Sequence, residues 1–243
     1  MDAAKASPSP NDLRAIRSAR AMKTKNLVSA LALSISAAMV PATSMADVSA
    51  NIGWVSEYIF RGIHQDDSSA YAGIDYTSDG GFYLGTWGAD VGDGLETDVY
   101  FGYSGGEDFT YKIGYTGYYY TDDFDDTYNE INLGIGYGLF ALDVAIGEWD
   151  GFGTPADYTF TSITLSPEKG PYYKFGSFGD DFDGDYLELG YTYTMEAEGV
   201  DLSIAAVFSD DLPVSDSLDD GFGGESGEWA LTFGIKKNIA IGN

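Results

Sequence analysis

From Asp47 to the last residue, short segments of alternating apolar and polar residues are separated by turns rich in Gly and Asp. A period of two residues is typical of a β-strand with one apolar face. Hydrocarbon offers no water to unpaired backbone groups, so only helices and closed sheets cross a bilayer. A tilted barrel strand crosses in about 9 to 11 residues, and its side chains alternate between lipid and lumen. The alternation therefore predicts an all-β chain folded as a transmembrane, antiparallel, up-and-down β-barrel.

The first 46 residues resemble an export signal instead. A basic start at Met22-Lys23-Thr24-Lys25 precedes an apolar segment, 27–40, that is too short to span a membrane. Ser44-Met45-Ala46 places small residues where a signal peptidase cleaves, which predicts a new N-terminus at Asp47. Residues 1–21 either result from a start codon assigned too early or form a long n-region of the signal peptide. We expect residues 1–46 to be removed and residues 47–243 to form one barrel in a Gram-negative outer membrane.

The predicted mature segment is strongly acidic. Six of the 12 basic residues and two of the 39 acidic residues precede Asp47, which leaves 37 acids and 6 bases. Phosphate binding needs a basic surface, so nucleic acid is excluded as a partner. The chain has no Cys, which excludes disulfides and thiol chemistry. No cofactor is predicted.

Twelve strands are predicted, and the clearest alternates Leu95, Val99 and Phe101 with Glu96 and Asp98. The first is predicted to run on to residue 60, with Tyr58 and Phe60 on the lipid face and Glu57 and Arg61 opposite. The facing of 82–89 and 158–165 stays open, because both of their faces are apolar or Thr-rich. The predicted strands are 48–60, 70–77, 82–89, 95–103, 109–119, 129–137, 140–146, 158–165, 172–178, 187–193, 200–208 and 229–236.

A soluble barrel of the lipocalin or streptavidin kind also has period two, but its ionised face would be the outer one. Two features favour the membrane alternative. The apolar faces carry Tyr, Phe and Trp near the strand ends, where aromatic girdles lie at membrane interfaces. The polar faces carry glycines, which leave space for a lumen: Gly73, Gly102, Gly114, Gly134, Gly136, Gly176, Gly190 and Gly234.

The connections alternate in length, as they do in outer-membrane barrels with short periplasmic turns and long external loops. This alternation fixes which connections lie together at each end of the barrel. The predicted periplasmic turns are 78–81, 104–108, 136–138, 166–170 and 195–199, and the predicted external loops are 62–69, 90–94, 121–127, 149–157, 179–185 and 209–227.

Three segments, NIGWVSEYIFRG at 51–62, GFYLGTWG at 81–88 and ETDVYFGY at 96–103, resemble the TorF family of proteobacterial porins. The similarity covers essentially the whole of residues 47–243, and Tyr58-Ile59-Phe60-Arg61-Gly62 is its most specific part. The resemblance implies an outer-membrane β-barrel that is assigned porin activity by its architecture. Such barrels usually end on an aromatic residue that the insertion machinery recognises. This sequence continues through Lys236-Lys237-Asn238 to Asn243, which leaves its insertion signal open.

Ions on the inner faces are the predicted pore-lining residues, and their acidic excess favours cations. The sequence therefore predicts a porin-like channel for small cationic or neutral solutes. A lumen closed by acid–base pairs and Tyr side chains is the open alternative, since about twelve strands is an intermediate barrel size. The predicted lining residues are Glu57, Asp75, Glu96, Asp98, Glu130, Asp143, Glu188 and Asp201, with Arg61, Lys112, Lys174 and Lys236.

Other functions receive less support from the sequence. The Asp clusters at 122–126 and 180–185 offer oxygen ligands, but neither has the spacing of an EF-hand, so no metal site is predicted. Catalysis needs a base beside a nucleophile, and His64 near Ser68 is an isolated candidate of the kind usually found on plain surface. The loop 209–227 could plug the lumen or contact a partner. The expected partners are outer-membrane lipid, small solutes or cations, and the barrel-insertion machinery; the oligomeric state stays open.

Overall fold

The computed structural model describes residues 47–210 and 228–241. The predicted leader, 1–46, and most of the predicted loop 209–227 lie outside the described residues. Cleavage before Asp47 and a plug formed by that loop therefore remain predictions. Within the described residues, no helix is long and apolar enough to cross a membrane.

Twelve antiparallel strands form one closed barrel, as the alternation predicts. These are β1 (Asp47–Val55), β4 (Ala70–Thr77), β5 (Phe82–Asp90), β6 (Leu95–Gly106), β7 (Phe109–Tyr120), β8 (Tyr128–Tyr137), β9 (Phe140–Trp149), β10 (Ala156–Leu165), β11 (Tyr172–Asp180), β12 (Asp185–Met195), β13 (Val200–Asp210) and β14 (Glu228–Ile241). The sheet closes because β1 pairs with both β4 and β14. Closure leaves no sheet edge whose backbone groups would face lipid.

The two faces of the wall differ as a membrane barrel requires. Apolar side chains such as Phe101 and Ile131 are exposed on the outside, whereas Glu96 and Glu130, which alternate with them, are buried inside. A soluble barrel would have the opposite polarity. Aromatic side chains are exposed near both ends of the wall, at Tyr103, Phe109, Tyr137 and Phe140 at one end and at Trp54 and Trp229 at the other.

The structure also settles the facing of the two ambiguous strands. On β10, Tyr158, Phe160 and Ser162 are buried and Ile163 is exposed, so the aromatic residues point inward. On β5, Tyr83 is buried and Leu84 is exposed. Both strands place rings inside the barrel, which alternation alone could not indicate.

The space beside several of the inward glycines is occupied by aromatic side chains. Tyrosine rings of neighbouring strands lie against these glycines, so that a Cβ added at Gly190 would collide with Tyr172. On the same strand pair, Tyr186 covers Gly176 in the same way. The arrangement recurs between β5 and β6, where Tyr100 covers Gly85 and Tyr83 covers Gly102. Tyrosine thus fills the space beside four of the eight inward glycines, Gly102, Gly114, Gly176 and Gly190.

The connections define two ends of the barrel. Connections 78–81, 107–108, 138–139, 166–171 and 196–199 lie at what we call the short-turn end. Connections 56–69, 91–94, 121–127, 150–155 and 181–184 lie at the long-loop end, where β13 and β14 also meet the undescribed segment 211–227. The difference in length is smaller than predicted, because strands such as β5 and β11 extend into the expected loops.

The prediction for the first strand is wrong beyond residue 55. The chain leaves the barrel wall after Val55 and forms a separate two-stranded hairpin of β2 (Glu57–Phe60) and β3 (Ile63–Asp67) before it re-enters the wall at Ala70. Tyr58 is fully buried rather than exposed to lipid. Tyr58 and Phe60 keep the apolar phase of residues 48–54 on the far side of Ser56, so the pattern does not show that the chain changes direction there.

Candidate functional site

The hairpin of β2 and β3, called here the lumen hairpin, lies across the inside of the barrel. On one side, the Thr232 hydroxyl on β14 donates a 2.9 Å hydrogen bond to the carbonyl oxygen of Glu57. On the other side, the Tyr58 hydroxyl lies 3.0 and 3.1 Å from the two carboxylate oxygens of Glu96 on β6. Ile59 belongs to one buried hydrophobic cluster with side chains from β9 to β14. The lumen hairpin therefore contacts opposite walls of the barrel.

The tip of the lumen hairpin is a two-residue turn, Arg61-Gly62. Both residues have positive φ, 52° and 83°, and Phe60 pairs directly with Ile63, which is the geometry of a type I′ turn. Glycine adopts this conformation readily, whereas a long side chain does so at a cost of about 1 to 3 kcal/mol. Arg61 must therefore be held in place by its surroundings.

Glu130 on β8 is what holds Arg61. The guanidinium donates two hydrogen bonds to the Glu130 carboxylate, of 2.8 and 2.9 Å. The same carboxylate accepts hydrogen bonds from Tyr118 at 2.7 Å, Tyr158 at 2.8 Å and Asn132 at 2.6 Å. A buried ion pair is stable only if its remaining hydrogen-bonding capacity is satisfied, and the Glu130 carboxylate meets this condition with five donated bonds.

Aromatic rings complete the environment of Arg61. Its guanidinium carbon lies 4.8 Å from the ring centre of Phe60 and 4.5 Å from that of Phe160. Both distances are in the range of cation–π contacts. We call Arg61, Glu130, Tyr118 and Tyr158 the latch. Sequence reasoning identified the two ions but not the two tyrosines, which bear no charge.

The twelve predicted lining residues are all inside the barrel, but two are not on its wall. Glu57 and Arg61 belong to the lumen hairpin, which corrects their assignment to the first strand. The other ten lie on the wall and divide by depth. Near the long-loop end are Glu96, Asp98 and Glu130, within the first four residues of β6 and β8. Near the short-turn end are Asp75, Lys112, Asp143, Lys174, Asp201 and Lys236, with Glu188 between the two groups.

Charges near the long-loop end are not balanced. Arg61 pairs with Glu130, but Glu96 and Asp98 have no basic partner within 4 Å among the described residues. Asp98 is fully buried, and neither of its carboxylate oxygens accepts a hydrogen bond from any described residue. Two buried acidic side chains without a basic partner in the described part of the chain therefore lie close together near the long-loop end.

Charges near the short-turn end are largely paired. The Lys112 ammonium lies 3.4 Å from the Asp143 carboxylate. Asp201 accepts hydrogen bonds from Thr194 at 2.7 Å and Asn238 at 2.9 Å, and it lies opposite Lys236 in the strand register. Asp75 accepts a 2.5 Å hydrogen bond from Tyr100. The alternation assigns an ionised residue to the inner face but not to one end of the barrel, so it does not indicate this difference between the two ends.

Two cavities remain beside the lumen hairpin. One of about 20 Å³ is lined by Glu57, Arg61, Lys174 and Glu188 among others. The second, of about 30 Å³, lies between Arg61, Lys112, Asp143 and Lys174. Each has room for about one or two water molecules. With the lumen hairpin in this position, the described lumen is narrow.

His64 is not a surface residue, contrary to the expectation for a loop histidine. Its side chain is buried, and its Nε2 atom lies 3.0 Å from Glu57 Oε2 and 3.1 Å from Asp67 Oδ1. Partial burial raises the pKa of Glu57, and the neighbouring Asp67 carboxylate raises it further. No residue pattern indicates that these three side chains meet.

The acidic loop 122–126 is partly structural. Asp125 accepts hydrogen bonds from Tyr128 at 2.9 Å and from the Trp149 indole at 3.0 Å. Burial raises the pKa of Asp125 despite these bonds. Asp126 accepts from the backbone N–H of Phe152 at 2.6 Å. These carboxylates connect the loop to its neighbour rather than forming a ligand shell.

Comparisons with known proteins place the chain among bacterial proteins. The family model described as "Bacterial protein of unknown function (Gcw_chp)" matches residues 39–212. No curated protein matches the chain.

Solved structures match the fold at low sequence identity. A KdgM porin matches with a TM-score of 0.52 at 9% identity, over 78% of this chain and 98% of its own. A membrane protein studied for its in-meso crystallisation has a TM-score of 0.52 at 10% identity, over 80% of this chain and 84% of its own. OccK2 of Pseudomonas aeruginosa has a TM-score of 0.38 at 14% identity, over 72% of this chain and 59% of its own. The likeness to the KdgM porin identifies the fold as that of an outer-membrane porin barrel.

Proposed function

The chain belongs to the bacterial family of unknown function Gcw_chp, and we propose that it is an outer-membrane channel through which small solutes diffuse passively. The observation that carries this proposal is the inner wall, which bears ionised side chains around a closed barrel of porin fold. Aqueous pores have polar interiors of this kind. The resemblance of residues 51–62, 81–88 and 96–103 to the TorF family supports the same function.

In this proposal, the lumen hairpin determines the width of the channel. It contacts β6, β8, β13 and β14, so a solute must pass between it and the wall or displace it. The cavities beside it hold about one or two waters each. The channel therefore passes small solutes and conducts weakly while the latch is closed.

Cation preference follows from the charge near the long-loop end. Asp93, Asp122 and Asp123 are exposed there, and connections 91–94, 121–127, 150–155 and 181–184 contain no Lys or Arg, whereas the bases Lys112 and Lys236 face acids near the short-turn end. Rings of acidic side chains favour cations in pores.

A second candidate is a barrel that does not conduct and acts as a surface receptor through its acidic loops. The observation that favours it is the packing of the lumen hairpin, which is held by the latch and by the buried contacts of Ile59. An enzyme acting on lipid is less well supported, because His64 faces Glu57 and Asp67 inside the barrel rather than the lipid.

Single-channel recording in planar bilayers tests the proposal. Under a KCl gradient, the reversal potential should indicate cation preference. D122N/D123N, which removes two exposed charges at the long-loop end, should reduce that preference, whereas D143N, which removes a paired charge near the short-turn end, should change it less. Deleting residues 57–67 and joining the ends with a short Gly-Ser linker should increase the conductance. Anion preference, or no current even after this deletion, would refute the channel; current only after deletion would support the receptor.

A further inference from the structure

Three side chains that can bind a metal meet on one face of the lumen hairpin. Glu57 lies on β2, whereas His64 and Asp67 lie on β3, and one ligand atom of each lies within 4.8 Å of the other two. Glu57 and Asp67 are paired across the two strands. His64 is buried, while the Asp67 carboxylate is largely exposed, at 76%. The cluster thus opens to solvent on one side only.

A β-bulge brings these residues together. Residues three apart on a regular strand point to opposite faces, so His64 and Asp67 would normally be separated. The register shifts between Tyr58 and Ile59, because Tyr58 pairs with Asp66 and Ile59 pairs with His64. The extra residue, Gln65, turns His64 onto the face of Asp67. Bulges that redirect a side chain in this way are common beside functional sites.

The distances fit coordination of one ion. Two ligand atoms about 2.1 Å from a metal, at angles of about 90 to 109°, lie about 3.0 to 3.4 Å apart. Nε2 of His64 lies 3.0 Å from Glu57 Oε2 and 3.1 Å from Asp67 Oδ1. An Nε2 atom carries at most one proton, so it can donate to one of these carboxylates well but not to both. A cation between the three atoms satisfies both carboxylates.

We propose that Glu57, His64 and Asp67 form a binding site for a divalent first-row transition-metal ion of the Zn²⁺ type. Imidazole nitrogen selects such ions, whereas Ca²⁺ and Mg²⁺ take oxygen ligands. Water completes the coordination on the exposed side, beside Asp67. Because the ligands come from both strands, the ion joins β2 to β3 and stiffens the lumen hairpin.

Zn²⁺ binding to the full-length chain, folded in detergent micelles and stripped of metal, tests this site without any need for conduction. Equilibrium dialysis should find one saturable site that an excess of Ca²⁺ does not displace. D67N should weaken binding about tenfold or more, since even outer-shell partners of a metal ligand affect affinity by about 10- to 100-fold. Asp67 is mostly exposed, so this variant should fold, as circular dichroism can verify.

D66N is the matched control, because it removes the same charge one residue away on the other face of the bulge. It should bind Zn²⁺ like the parent chain. Equal weakening in D66N and D67N would mean general attraction to acidic loops and would overturn the site, as would full displacement by Ca²⁺. Co²⁺ provides a second readout, since its visible absorption should change on binding to the parent chain and to D66N but not to D67N.

Discussion

Two ion pairs inside the barrel differ in their burial, in their geometry and in the elements that they join. Arg61 and Glu130, at the hairpin tip, meet through two hydrogen bonds, and their side chains are 8% and 0% exposed. Lys112 and Asp143, nearer the short-turn end, are 3.4 Å apart, with Asp143 30% exposed. The first pair joins two separate elements, whereas the second joins two strands that the sheet already positions. Opposite charge therefore predicts little by itself; burial and what the pair connects decide its contribution.

Breaking the latch should have the largest effect. R61A leaves Glu130 buried without its counter-ion, which costs about 3 to 5 kcal/mol for a buried pair. Urea unfolding in micelles, followed by Trp fluorescence, should show this loss, and the single-channel conductance should rise. R61K keeps the charge but loses the planar two-point contact, so an intermediate loss is expected. An R61A protein as stable as the parent would mean that the latch does not hold the lumen hairpin.

Removing the Tyr58 hydroxyl should have a smaller effect. Y58F leaves the buried Glu96 carboxylate without the donor that lies 3.0 Å away, and the expected cost is about 1 to 3 kcal/mol. Y137F is the control, because Tyr137 is exposed on the outer face; its unfolding curve should match that of the parent. Equal losses in the two variants would contradict a specific contact between Tyr58 and Glu96.

The smallest effect is expected from the second ion pair. K112A should cost about 0 to 1 kcal/mol, as is typical of a partly exposed pair. The double variant K112A/D143A should be close to additive in the same urea experiment. If K112A lost as much free energy of unfolding as R61A, the two ion pairs would not differ in their contribution to stability.

The barrel was predictable because each strand carries its own pattern. Leu95, Val99 and Phe101 alternate with Glu96 and Asp98 within a single strand, whatever the rest of the chain does. Closure of the sheet follows because an unpaired edge strand is not tolerated in a membrane. Local alternation identified most inward positions in this way. It was uninformative where both faces of a strand are apolar, as at Tyr158 and Phe160 on β10.

The lumen was less predictable because its contacts join residues far apart in the chain. Arg61 and Glu130 are separated by 69 positions, and nothing near Arg61 specifies its partner. Tyr58 continues the alternation of β1, although the chain has already left the wall. The one local sign was Arg61-Gly62 between Phe60 and Ile63, a dipeptide with glycine that suits a tight turn. The meeting of His64 with Asp67 depends on a bulge that no residue pattern indicates.

The tyrosine–glycine pairs help to determine the register in which neighbouring strands pair. The inside–outside alternation penalises any shift of neighbouring strands by an odd number of residues, since every side chain would change face. A shift by two keeps all faces correct and escapes that penalty. It would move Tyr172 from Gly190 to Glu188 or Thr192, whose side chains occupy the space that Gly190 leaves for the ring. Tyr186 and Gly176 form the same kind of pair in reverse on the same two strands. Each such pair therefore disfavours the two-residue shift, which the inside–outside alternation does not penalise.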